Sequence, residues 1–122
     1  MTHTSGIADH YRLGIYKKGL TNRDVIEALL KQNQLGFQPG DRFSYSNGGY
    51  VLLSLIVEKV SDMPFHKYME INIFEPLGMN NTLVYDESAP IIENRAVGYN
   101  QAGELDDYEI FTTGAGGMFS TL

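Results

Sequence analysis

The stretch PGDRFSYSNGGYVLLSLIVEKVS, residues 39–61, decides the fold. Pro39-Gly40 is a turn signal, and Ser46 and Asn47 are both residue types that satisfy the free N–H groups at a helix start. Behind them Tyr50, Val51, Leu52, Leu53, Leu55, Ile56, Val57 and Val60 occupy nearly all faces of a helix running from Gly48 to Ser61. A surface helix keeps one polar face, so an apolar character all round predicts a helix buried on most sides, which needs partners. Tyr45-Ser46-Asn47 lies on the loop that enters this helix. Side chains placed there are held by a rigid support while still reaching a cleft, a useful place for chemistry.

Upstream, the first twenty residues open on Thr2-His3-Thr4-Ser5-Gly6, contain Gly14 and Gly19, show no sustained period and read as loop. From Thr21 or Asn22, either of which can cap, Val25, Ile26, Leu29 and Leu30 form one apolar stripe, and Asp24 sits in the first turn; this predicts an amphipathic helix to about Gln32. Downstream, Ser61-Asp62 followed by Pro64 starts a third helix carrying Phe65, Tyr68, Met69 and Phe74, ended by Pro76 and Gly78. Beyond Asn80 the chain turns β-like, with short candidate strands at Thr82 to Tyr85, Ala96 to Tyr99 and Tyr108 to Thr112, and Gly103 in a turn. The expectation is an α+β chain, a mainly helical lobe with short β segments, over 1–122 as a single partial domain. The carboxyl end carries Ser120 and Thr121, caps for a helix that does not follow, and reads as cut.

Composition narrows the partners. With 122 residues, 43% hydrophobic and 20% charged, the chain has the makings of one folded unit. A formal net charge of -6, with only Lys17-Lys18 as a basic pair, argues against nucleic acid. The longest apolar run, Tyr50 to Val57, falls far short of the roughly 20 residues of a membrane span. The absence of cysteine excludes disulfides and cysteine-ligated zinc, and fits a cytoplasmic protein and an exported bacterial one equally, so the compartment stays open. No cofactor is implied. His3, His10 and His66 lack metal-ligand spacing, no Gly-x-Ser-x-Gly elbow is present, and neither a metal site nor a classical triad is expected. The run Glu104 to Asp107 reads as a solvated loop. Asn80-Asn81-Thr82 fits a glycosylation pattern that is frequent by chance.

A phenol acts as a general base only when its pKa falls from about 10 toward neutrality, which takes about 4 kcal/mol of help from neighbouring cations. No cation is adjacent to Tyr45 in sequence. On its own, then, Tyr45 reads either as such a base or as a buried aromatic with a hydrogen-bonded hydroxyl, and Ser46-Asn47 either as site residues or as plain caps.

Four spaced stretches, in order, tip this balance: Thr2-His3-Thr4-Ser5-Gly6; Pro39-Gly40 through Phe43 to Tyr45-Ser46-Asn47 and Tyr50; Phe74-Glu75-Pro76-Leu77-Gly78-Met79 with Thr82; and Gly114-Ala115-Gly116-Gly117-Met118 with Ser120-Thr121. Together they resemble the serine β-lactamases of the class C type and their relatives, the penicillin-binding esterases, D-aminopeptidases and DD-carboxypeptidases. The resemblance covers essentially the whole chain. It implies part of a β-lactamase/transpeptidase-like fold and acyl-enzyme hydrolysis of an amide, β-lactam or ester carbonyl. It further implies that Tyr45 handles the proton of a nucleophilic serine and that Asn47 bonds the substrate's acyl-amide group. Ser46 holds a structural position, His3 a hydrogen-bonding one, and Gly116 and Gly117 form a tight chain passage near the cleft. The family's Ser-x-x-Lys nucleophile motif and its later Lys-Thr-Gly or His-x-Gly strand have no counterpart in these 122 residues. The nucleophile helix and C-terminal sheet are therefore expected outside the segment, which in isolation should be inactive and should pair with a second copy through an exposed apolar groove. Two other readings compete, a penicillin-sensing module without turnover and a small helical interaction domain.

Overall fold

The computed structural model describes residues 2–106 and 110–121. Helix α1 spans Asn22–Leu30, and its start is a full capping box in which Thr21 accepts from the N–H of Asp24 while Asp24 accepts from the N–H of Thr21. Helix α2 spans Asn47–Ser61, with the Ser46 hydroxyl accepting from the N–H of Gly49. Helix α3, Phe65–Met69, passes into a π-helical turn at Glu70–Phe74. These are the three helices expected from periodicity and capping, within one or two residues at their ends.

The first twenty residues are not all loop. They hold a 3-10 turn at His10–Leu13 and a short strand β1, Leu20–Thr21, whose Leu20 is fully buried. The strand lies parallel to β5, Ile110–Phe111, ninety residues away in register Leu20↔Ile110. Two residues give no alternation to read, so only the tertiary pairing defines this strand. Strands β2, Leu83–Val84, and β6, Met118–Phe119, pair antiparallel, as do β3, Gly98–Tyr99, and β4, Leu105–Asp106. The acidic run thus contributes an exposed strand rather than a loop. Of that run Asp107 lies outside the described residues, as does Tyr108 of the expected Tyr108 to Thr112 strand.

The core is small. Leu20, Val25 and Val51 form its centre, with Tyr11, Ile15, Leu29, Ile110 and Ala115 packed around them. Within α2 only Gly48, Val51 and Ser54 are buried, while Ile56 is 55% and Val60 82% exposed. The expected burial on most sides is therefore not met within this chain, because α1, the 3-10 turn and α3 cover only part of the helix.

A buried polar knot joins α1, α2 and the passage after β5. The Asn22 amide donates to Thr113 Oγ1 (2.8 Å) and Ser54 Oγ (3.2 Å), and Asn22 Oδ1 accepts from the N–H of Thr113 (2.8 Å). Gly114 follows at φ +84°, and a Cβ there would lie 2.4 Å from the Tyr50 carbonyl oxygen, so the chain passes α2 at a distance only glycine allows.

Candidate active site

The approach to α2 is built on residues 3–9. This strip runs beside residues 36–44 through three main-chain bonds, Gly36 N–H to the Gly6 carbonyl, Gly40 N–H to that of Thr4 and Ser44 N–H to that of His3, each 2.8 Å. Gly6 is required where the two segments touch, since a Cβ there would meet the Phe37 carbonyl oxygen at 2.3 Å.

Each residue of the tripeptide then has its own anchor on this strip. The Tyr45 ring stacks on the His3 imidazole, with centroids 4.3 Å apart and planes at 30°. His3 also meets Tyr50 and, edge-on, Phe43. Its Nδ1 accepts from the N–H of Ser46 (3.2 Å), which places the proton of a neutral ring on Nε2. Ser46, 3% exposed, donates its hydroxyl to the Ala8 carbonyl (3.1 Å). Asn47 gives both its main-chain N–H (2.8 Å) and its side-chain Nδ2 (2.7 Å) to one oxygen of Asp9.

Asp9 is buried. Burial by itself raises the affinity of its carboxylate for a proton, but the bonds from Asn47 and from the N–H of Tyr11, with the nearby His10, outweigh it and hold the group below its ordinary value.

Tyr45 is 54% exposed, and its hydroxyl has no hydrogen-bond partner among the described residues. It is therefore not the buried, tied-up aromatic that the residue alone allowed. Nor does any lysine or arginine among the described residues bond to it. Beside it runs an apolar groove of ≈ 460 Å³ whose lining includes His3, Ser46, Tyr50, Leu52, Leu53 and Ile56. Tyr45 and Asn47 are not in that lining. Tyr45 lies over His3 and the Asn47 amide is turned to Asp9, so the cleft expected to contain both is not this groove.

Gly116 (φ +126°) and Gly117 (φ +71°) both need glycine's backbone freedom, and a Cβ at Gly117 would approach the Thr112 carbonyl oxygen to 2.6 Å. Nothing lies within 4 Å of a Cβ at Gly116, so the crowding is at Gly117, and the closest approach to α2 belongs to Gly114 rather than to the two glycines singled out from sequence. Asp9 is the site residue that sequence reasoning missed. Its one sequence signal is an acidic residue before a 3-10 turn, and the 38-residue gap to Asn47 hides the rest.

A second polar group lies between α3 and the loop after β2. His66 Nδ1 and Asp86 Oδ2 are 2.7 Å apart on the wall of a ≈ 840 Å³ cavity. The Ser88 hydroxyl bonds to Asp86 (2.6 Å) and not to the imidazole, so no nucleophile–base pair is formed. Among the described residues no three His, Asp or Glu come together as metal ligands, and no helix is long and apolar enough to cross a membrane.

The Beta-lactamase family model matches residues 1–122. Penicillin-binding protein 4* of Bacillus subtilis is 37% identical over 108 residues, a match covering 81% of this chain and 24% of that protein. A putative D-alanyl-D-alanine carboxypeptidase of Salmonella schwarzengrund is 38% identical over 55 residues, 45% of this chain and 13% of the relative. Among solved structures, a penicillin-binding protein from Bacillus halodurans superposes with a TM-score of 0.80 at 29% identity, over 98% of this chain and 40% of that one. The D-amino acid amidase of Ochrobactrum anthropi SV3 complexed with L-phenylalanine gives 0.79 at 31% identity, over 98% and 36%. The chain thus spans about a quarter of the length of the Bacillus subtilis relative. Its helices and short strands are those of the β-lactamase/transpeptidase-like fold, its relatives include penicillin-binding proteins and a D-amino acid amidase, and the chain belongs to the beta-lactamase family.

Proposed function

We propose that residues 1–122 supply the tyrosine side of a serine hydrolase site that works by acyl-enzyme chemistry on an amide, β-lactam or ester carbonyl. Tyr45 relays the proton of a serine that comes from outside this segment, and Asn47 binds the acyl-amide group of the substrate. Ser46 anchors the loop, and Gly116 and Gly117 shape the chain near the cleft. The observation that carries this reading is the placement of Tyr45. Its ring is fixed by stacking while its hydroxyl stays exposed and without a hydrogen-bond partner among the described residues, as a proton-transfer group must be to meet a partner.

The segment is read as one part of a larger domain, inactive by itself. Supporting this, its accessible surface is 8526 Å², against about 6,600 Å² expected from mass for a compact monomer of 13.6 kDa. Large apolar side chains contribute to this surface, with Leu30 78% and Val60 82% exposed. Those faces suit the absent parts of the domain, and in their absence a second copy of the chain. Sedimentation should show concentration-dependent association; a clean monomer at high concentration contradicts it.

The catalytic reading is tested by replacing the matched segment of penicillin-binding protein 4* with residues 1–122 and following acylation by a fluorescent penicillin and turnover of a chromogenic ester. Tyr45→Phe should slow both by about 10²- to 10⁴-fold. Asn47→Ala should slow acylation about 10- to 100-fold. Rates within threefold of the parent chimera for both variants, or a chimera that neither labels nor hydrolyses, overturn the assignment.

A further inference from the structure

The cavity walled by His66 and Asp86 holds a histidine and a lysine that each already face a carboxylate, His66 with Asp86 and Lys67 with Glu70. A smaller cavity, of ≈ 360 Å³, holds a cation that does not. Its walls come from residues of β3, β4, β5 and β6 and from Tyr85, just after β2, and it shares no residue with the groove beside Tyr45.

The cation is Arg95. Its Cζ lies 5.4 Å from the ring centroid of Tyr85 and 5.6 Å from that of Phe119. The two rings meet edge to face, with centroids 5.3 Å apart and planes at 76°. Their backbones are tied together by the β2–β6 pairing, in register Leu83↔Phe119 and Val84↔Met118, and by the N–H of Tyr85, which donates to the Gly117 carbonyl (2.6 Å). Arg95 thus rests on a fixed aromatic platform.

Stacking occupies the face of a guanidinium and leaves the N–H donors along its edge free for a planar, two-oxygen acceptor. Among the described residues no carboxylate takes that edge, and Asp106, the acidic residue of the lining, forms no ion pair with Arg95. Around it Val97, Leu105 and Met118 line the same cavity with apolar side chains open to water. A free guanidinium edge set among such side chains matches a ligand that carries a carboxylate on an apolar body. The charge of that ligand is limited. With a formal net charge of -6 on the chain and Asp106 in the wall, a doubly charged phosphate is opposed more strongly than a carboxylate.

We propose that this cavity is a binding site for a monocarboxylate with an aryl or branched-alkyl body. The carboxylate takes the N–H edge of Arg95 in a two-pronged bond, and the body lies against Val97, Leu105 and Met118. The site does not rest on the chemistry proposed for Tyr45, and it is tested without turnover.

Titration of the 122-residue chain with sodium benzoate, followed by nuclear magnetic resonance, is the test. The Arg95 Nε–H and the ring protons of Tyr85 and Phe119 should shift together and saturate. Benzamide, which keeps the body and loses the charge, should bind about 10- to 100-fold more weakly, the worth of a charge-assisted hydrogen bond. Arg95→Gln should weaken benzoate by a similar factor, while the Gly49 N–H, held by Ser46 Oγ, stays in place as the mark of an intact fold. Arg95→Lys, which keeps the charge and loses the fork, should fall between the wild type and Arg95→Gln. Should the variants fail to fold, the wild-type titrations with benzoate and benzamide decide alone. Benzoate shifts that do not saturate, or that fall elsewhere on the chain, overturn the proposal. So does benzamide or inorganic phosphate binding at Arg95 as tightly as benzoate, or an unchanged benzoate affinity in a folded Arg95→Gln chain.

Discussion

Residues 3–54 and residues 86–106 differ in how far along the chain their polar bonds reach. In the first region His3, Ala8 and Asp9 hold Ser46 and Asn47 across 38 to 43 positions, and Asn22 reaches Thr113 across 91. In the second, Asp86 bonds Ser88, and Asn100 bonds Ala102 and Glu104, all within four positions. Longer reaches there include the β3–β4 pairing over six to eight positions, the His66–Asp86 pair and the stacking of Arg95 over Tyr85 and Phe119. Long-range bonds to buried groups fix a side chain relative to the whole fold, whereas short-range bonds only shape a turn. The Tyr45-Ser46-Asn47 tripeptide lies in the first region, where a group can be held in one orientation.

The sharpest way to break this contrast is a pair of matched glycine substitutions. Gly114 (φ +84°) and Gly103 (φ +78°) share the left-handed backbone, but a Cβ at Gly114 would lie 2.4 Å from the Tyr50 carbonyl oxygen and 2.9 Å from Ser54 Cβ, while nothing lies within 4 Å of one at Gly103. Gly114→Ala should cost upwards of about 3 kcal/mol, or prevent folding, because backbone and α2 must both move. Gly103→Ala should cost only the backbone term, about 1–2 kcal/mol. Urea denaturation measures both; equal costs would mean that the region around α2 is no more constrained than the loop.

A smaller difference is expected from Asn22→Ala and Asn100→Ala. Asn22→Ala leaves the part-buried N–H of Thr113 without its acceptor, for about 1–3 kcal/mol, while Ser54 and Thr113 Oγ1 keep each other; the exposed Asn100 turn should lose less than about 1 kcal/mol. The same denaturation curves report it.

The smallest effect is a pH dependence. His10 is 1% exposed, and neither ring nitrogen has a partner. Burial lowers its affinity for a proton, and the Asp9 charge beside it opposes this only in part. The unfolded chain therefore binds a proton near pH 6.5 that the folded chain refuses, so stability should fall as pH drops from about 6.5 toward the lowered folded value. Asp9 and Asp86 act in a lower window. Burial pushes both carboxylates up, but the bonds they accept, from Asn47 and Tyr11 in one case and from Ser88 and His66 in the other, bring both below their ordinary value. Their contribution is complete above about pH 4 and is lost as pH falls through the folded values. Denaturation midpoints against pH should show both windows, and His10→Phe should flatten the upper one alone. An unchanged upper window in that variant would assign it to another group.

How much was legible in the sequence follows from the same contrast. The capping signals at Thr21, Ser46 and Pro64 and the apolar periodicity behind them are local, and they placed all three helices. Strand β1 was not legible, because Leu20–Thr21 is a strand only through its pairing with Ile110–Phe111. The burial of α2 was overestimated for a related reason. An apolar face reports that a helix wants cover, not that the covering residues lie within the same 122. At the site, Tyr45, Ser46 and Asn47 were marked by their position before a helix and by four motifs in register. Asp9 was not, since nothing local distinguishes a carboxylate that caps a short turn from one that also clamps an asparagine 38 residues on.

If the 3–9 strip holds the tripeptide in a reactive pose, Asp9 and Asn47 act as one unit, which a double-mutant cycle on acylation by a fluorescent penicillin measures. In the penicillin-binding protein 4* chimera, Asp9→Asn should slow acylation about tenfold when Asn47 is present and should add nothing on top of Asn47→Ala, because both substitutions remove one oriented group. Effects of Asp9→Asn and Asn47→Ala that simply multiply would contradict the claim, since the two residues would then act independently.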